Sequence, residues 1–134
     1  MFDYNAFLKS NPNGVMVTIE NGKPHTRVYQ YLWSGDGNRI YFCTSNKKDV
    51  YREMRANPSV AFCTWNPTTF ETLNLYGEAV FVDDRALKAR ALDENPGIKG
   101  IYQTPDNPDF EVFYVALTEM KNFSFASGSE TVAL

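Results

Sequence analysis

The chain has one histidine, His25, and two cysteines, Cys43 and Cys63, in 134 residues. The cysteines lie inside apolar runs without C-x-x-C spacing. That predicts reduced core thiols of a cytoplasmic protein, not a disulfide or a redox dithiol. One histidine among scattered carboxylates predicts no metal centre. No Ser-His-Asp or Cys-His order can be assembled for nucleophilic catalysis. Positive charge is also short: 13 Lys and Arg stand against 16 Asp and Glu, a net charge of −3. No basic stripe is therefore expected for nucleic acid or an anionic membrane. No apolar run reaches the length of a membrane span, and the opening MFDYNAFLKSNPNG predicts no signal peptide. Neither a G-x-G-x-x-G turn nor a phosphate-binding P-loop is present. An anion site, if built at all, must be local and suited to a small phosphorylated ligand.

What the chain does have is apolar and aromatic bulk, 43% and 15% of residues, enough to bury a core in a single domain over residues 1–134. FDYNAFLKSN predicts a short helix with Phe2, Ala6 and Phe7 on one side, stopped by Asn-Pro. GVMVTIE and PHTRVYQYLW predict a hairpin joined at Asn21-Gly22, residues that tolerate the positive φ of a tight turn. SGDGN predicts a second turn before RIYFCTS, giving three consecutive antiparallel strands. A helix is expected from Lys47 to Ala56, capped by Asn46, with Val50, Tyr51 and Met54 inward. SVAFCTW reads as a fourth strand and ETLNLYGEAVFVDD as a fifth, with a bulge or bend at Gly77. DDRALKARALDEN predicts a helix capped by Asp83 or Asp84, and PGIKGIYQTPDNPD a short helical turn followed by loop. FEVFYVALTEM and NFSFAS close the sheet, and GSETVAL is expected to trail exposed. Six or seven antiparallel strands with inserted helices predict a closed or partly open barrel.

The strand–turn–helix corner is the candidate site. Lys47 and Lys48 stand at a helix start, where exposed N–H groups and the helix dipole favour negative charge. They fit there if an anion lies between the amides and the ammonium groups, with the Thr44 and Ser45 hydroxyls beside it. The alternative is a surface helix whose lysines face water. Alternation in PHTRVYQYLW places Arg27, Tyr29 and Tyr31 on one strand face. A partly buried arginine needs a partner, and either a phosphate, which its fork matches bidentately, or a carboxylate would serve. His25 starts a strand beside a turn and is expected to be exposed and idle. Trp65 either covers a planar ligand or packs at the sheet rim.

The stretches NGKPHTRV, RIYFCTSNKK, MRANPSVAFCTW and LNLYGEAVFVDD, in this order and spacing, resemble the pyridoxamine 5′-phosphate oxidase-like family of FMN-binding split barrels. The resemblance runs from about Gly14 to Phe123. It implies a mainly β fold, an antiparallel split barrel with inserted helices, and a homodimer holding FMN at its interface. By this likeness Arg27 binds the FMN phosphate with Val28 beside it, and Thr44 and Ser45 line the flavin. Lys47 or Lys48 reaches the phosphate, and Trp65 and Thr72 complete the cofactor site. Thr72 stands where the oxidase tends to carry a glutamine that contacts flavin from the other subunit. The ending FSFASGSETVAL lacks the arginine-rich segment that binds pyridoxal phosphate in the oxidase. The chain therefore looks closer to the short nitroimidazole-resistance-type flavoproteins. The implied activity is FMN-dependent oxidoreduction of a small-molecule acceptor, with a nicotinamide nucleotide as the electron donor. The alternatives are a flavin or haem carrier without turnover and a β-barrel interaction module.

Overall fold

The computed structural model describes residues 2–134. Eight strands form one antiparallel sheet. They are β1 (Asn13–Glu20), β2 (Lys23–Gln30), β3 (Trp33–Gly35), β4 (Arg39–Ser45), β5 (Ser59–Trp65), β6 (Thr72–Val82), β7 (Phe110–Ser124) and β8 (Gly128–Ala133). The strand order is β2-β1-β5-β6-β7-β4-β3, with β8 on β7. Four helices are inserted: α1 (Tyr4–Ser10), α2 (Asp49–Ala56), α3 (Arg85–Glu94) and α4 (Pro96–Tyr102). This is the mainly antiparallel split barrel expected from the sequence.

The β1–β2 hairpin turns at Asn21 (φ 52°) and Gly22 (φ 75°), the paired positive angles of a turn whose twist matches the strands. The bend anticipated at Gly77 is a register shift between Tyr76 and Gly77 against β7. A Cβ on Gly77 would sit 2.2 Å from the Ala116 carbonyl oxygen, so only glycine fits this close approach. Asp84 caps α3, its carboxylate accepting from the amides of Ala86 and Leu87.

Several expectations are corrected. RIYFCTS does not extend a meander from β2: β4 pairs with β3 and with β7, a long-range choice that local turns do not specify. PHTRVYQYLW is broken, because Tyr31 and Leu32 leave the ladder and Trp33 begins β3. FEVFYVALTEM and NFSFAS are one strand, β7, and GSETVAL is not a loose tail but supplies β8, paired with β7. In α1 the buried residues are Tyr4, Phe7 and Leu8, while Ala6 is exposed. Helix α2 starts at Asp49 behind Lys48, which makes no side-chain cap bond. Asn46 is not its cap: its amide donates to the Pro108 carbonyl and to Glu111.

Two cores result. Inside the barrel, Met16, Ile40, Phe42, Phe62, Leu75, Phe113 and Met120 meet Phe7 and Leu8 of α1 and Val50 and Met54 of α2. Outside the barrel, the outer faces of β3, β4 and β7 carry Trp33, Tyr41, Phe110 and Val112, which bury Ala91 and Leu92 of α3.

Candidate functional site

Strands β2 and β4 are where the barrel is split. Among the described residues, β2 pairs only with β1, and β4 beyond Tyr41 pairs only with β7. The two edges are joined by side chains: the Tyr29 and Thr44 hydroxyls are 2.7 Å apart. Thr44 is buried because alternation from Ile40 and Phe42 turns it inward. Burial pushes the Tyr29 hydroxyl up to about 12, against the opposing effect of its bond to Thr44. Burial likewise pushes the Cys43 thiol up to about 12, so this cysteine is not a thiolate nucleophile at neutral pH.

Two grooves open along this seam. One is lined by Arg27, Val28, Tyr29, Lys48, Asp49 and Val50. The other is walled by Val28, Tyr29 and Gln30 on one side, Cys43, Thr44 and Lys48 on another, with Ile98, Ile101 and Tyr102 of α4 above. Their volumes are ≈ 260 and ≈ 170 Å³. Each alone is smaller than the roughly 300–1,000 Å³ of a small-molecule pocket, but they share Val28, Tyr29 and Lys48.

Arg27 carries the polarity of the first groove. Its Nη1 donates to the Thr18 hydroxyl at 2.8 Å and its Nη2 to Glu53 Oε1 at 2.7 Å. The carboxylate partner left open by the sequence is thus Glu53, whose side chain is 3% exposed. The Thr18 hydroxyl bond, 2.6 Å long, is the main cause that holds the Glu53 carboxyl below its ordinary range, opposed by burial and aided by His25 and Arg27. Arg27 Nε has no acceptor among the described residues. One N–H of Nη2 is also left over, and these two N–H groups form the side edge of the fork. They suit a bidentate oxyanion.

The structure gathers Arg27, Val28, Thr44 and Lys48 at the seam. Ser45 ends β4 outside both grooves, its hydroxyl accepting from the Lys47 amide at 3.1 Å. Lys47 itself is exposed and lines neither groove. Trp65 faces another groove with Asn11, Pro12 and Pro67, and Thr72 is its register partner on β6. These two lie away from the seam within one chain.

Glu53, the buried partner of Arg27 and Thr18, is what the sequence reading missed. Its signal was there: it falls between Val50 and Met54 on the buried stripe of α2, and a charge in such a stripe requires a partner. His25, expected to be exposed, is instead half-buried, with its ring and the Glu20 and Glu53 carboxylates within 4.8 Å of one another. The carboxylates the sequence left scattered are thus brought together. Arg27 and Arg52 neutralise them, the latter reaching Glu20 at 3.2 Å.

Comparison with known proteins agrees with this architecture. The family profile described as "Pyridoxamine 5′-phosphate oxidase" matches residues 3–124. A NimC/NimA family protein from Clostridium acetobutylicum superposes with a TM-score of 0.86 at 29% identity, covering 96% of this chain and 88% of that one. General stress protein 26 from Bacillus anthracis gives 0.80 at 19% identity, covering 96% and 94%. A pyridoxamine 5′-phosphate oxidase-related, FMN-binding protein from Nostoc punctiforme gives 0.65 at 14% identity, covering 92% and 86%. No curated protein matches the sequence. No helix among the described residues is long and apolar enough to cross a membrane.

Proposed function

The chain belongs to the pyridoxamine 5′-phosphate oxidase family, and on that premise we propose that it is an FMN-binding oxidoreductase built as one domain. The observation that carries this reading is the free side edge of Arg27 in a groove shared with Lys48. A dianionic phosphate there accepts two parallel N–H bonds from Arg27 and gains charge from Lys48. The adjoining groove, between the β2 edge and Ile98, Ile101 and Tyr102, offers apolar walls to a planar ring. Unpaired strand edges on both sides supply the backbone donors and acceptors that a heterocycle needs. The residues present therefore fit FMN.

Bound FMN would supply the electron and hydride transfer, which side chains cannot. The protein's own work is to anchor the phosphate, orient the ring and exclude water. With Cys43 held as a thiol and the redox chemistry left to the flavin, no covalent step by the protein is called for. The acceptor is a small molecule, and a nicotinamide nucleotide is the donor to test first. The grooves are shallow in one chain, and Trp65 and Thr72 lie outside them, which supports a homodimer in which a second copy completes the site. Two free thiols suit a reducing compartment such as the cytoplasm.

Titration with FMN and with riboflavin tests the reading directly. FMN should bind at least about tenfold more tightly, since only it carries the phosphate. Equal affinities would remove the phosphate site. Anaerobic mixing with a nicotinamide nucleotide, followed by an acceptor, then separates an oxidoreductase from a carrier of flavin or haem. Reduction and reoxidation of the flavin are expected.

A further inference from the structure

We propose that Glu53, acting with Thr18, is the positioning residue of the phosphate site, fixing which edge of the Arg27 guanidinium faces the ligand. The inference rests on the phosphate reading above and assigns a role to a residue that never meets the ligand.

The argument is geometric. Arg27 Nη1, Thr18 Oγ1, Glu53 Oε1 and Arg27 Nη2 close a ring of three hydrogen bonds, at 2.8, 2.6 and 2.7 Å. Nη1 also faces the carbonyls of Met16 and His25 at 3.4 and 3.3 Å. A planar guanidinium held on two of its nitrogens cannot rotate, so its remaining Nε–H and Nη2–H pair points one way. Arg27 lines the groove with Lys48, and this edge is the part of its fork left for a ligand there. Burying a carboxylate here is costly unless it is fully bonded, and one oxygen, Oε1, takes both bonds. The Glu53 charge itself would oppose a phosphate. Its benefit to binding must therefore come from orientation rather than from attraction. Asp49, the carboxylate that does line the groove, is turned to Arg52 at 3.1 Å.

This separation of geometry from charge makes the idea testable. An amide oxygen in place of Oε1 keeps both hydrogen bonds and drops the charge, so E53Q should bind FMN at least as tightly as the parent. E53A frees the guanidinium to turn onto the neighbouring carbonyls. FMN affinity should then fall about tenfold or more, as for a lost charged hydrogen bond, while riboflavin affinity stays unchanged. T18V, of matching volume, breaks the ring at its middle and should weaken FMN alone by about threefold, within the range of one ordinary hydrogen bond. It decides the matter if E53A does not fold. The proposal is overturned if E53A or T18V binds FMN as the parent does. It is equally overturned if E53Q loses as much as E53A, or if FMN and riboflavin weaken together. Equal binding of the two flavins by the parent would instead defeat the phosphate reading itself, and this proposal with it.

Discussion

The outer surface of the sheet is apolar on both sides of the seam, yet only one side is covered. Outside β3, β4 and β7, helices α3 and α4 lie on the strands, and Phe110 and Val112 are fully buried. Outside β1, β2, β5 and β6, the alternate residues Val15, Val17, Ala61, Cys63 and Tyr76 stay half-exposed, Ile19 and Trp65 are about 40% exposed, and Val28 is 75% exposed. The two faces also divide the cysteines, Cys43 beneath the helices and Cys63 on the open side. A covered face contributes to the stability of the chain, whereas an open one is available for association. The flavin site proposed here lies on the border between them.

The largest effect of this contrast belongs to the covered face. Leu92→Ala should lower unfolding stability by about 2–5 kcal/mol, whereas Ile19→Ser on the open face should change it by less than about 0.5 kcal/mol. Urea unfolding of both variants decides, and equal losses would erase the distinction.

The covered face should also set the alkaline limit. The raised Cys43 thiol means that the folded chain holds a proton which the unfolded chain releases above the ordinary value of 9.0. The stability it contributes is thus fully present below pH 9.0 and is lost as pH rises toward about 12. Tyr29 in the seam adds to the same trend, between 10.0 and about 12. Thermal melts across this range should show Cys43→Ala flattening the decline.

On the open face the expected loss is one of association. Ala61→Arg places a charge in the middle of the apolar strip and should weaken the proposed homodimer by about 2 kcal/mol or more, leaving the monomer folded. Sedimentation velocity with and without FMN measures this. An unchanged profile would mean that this face does not carry the association proposed for it.

The seam gives the finest test. Arg27→Lys retains charge but loses the fork, and FMN should bind more weakly by about 1.5–3 kcal/mol. Lys48→Ala should cost less, about 0.5–1 kcal/mol as for an exposed ion pair. Lys47→Ala should have no measurable effect. A larger loss at Lys47 than at Lys48 would move the phosphate outward along the turn.

Features written in neighbouring residues were readable from the sequence. The Asn21-Gly22 turn, the Gly77 bend, the Asp84 cap and the inward alternation of Arg27 and Tyr29 each follow from local sterics or period. Features that depend on distant pairing were not. Asn46 looks like a helix cap until Pro108 and Glu111 arrive beside it. GSETVAL is polar enough to trail free until β7 offers it an edge. Glu53 falls on the inward stripe of α2, but only the meeting of α2 with β1 and β2 shows that its partners are Thr18 and Arg27. The lysine pair was legible as a candidate site, but its two members were not separable, because the helix begins two residues later than the pattern suggests.

The seam between β2 and β4 has one more consequence, in the time domain. Strands β6 and β7 are paired along both edges, so their amides exchange with solvent only through global unfolding. The β2 edge is held to β4 by a hydroxyl pair in place of a ladder, and its opening disrupts far fewer bonds. Deuterium should therefore enter β2 by local fluctuation, at a rate nearly independent of mutations that stiffen the barrel core. A ligand bridging the two edges would slow that exchange without raising the protection of β6 and β7. Mobility at the site and stability of the fold are, in this architecture, separately adjustable.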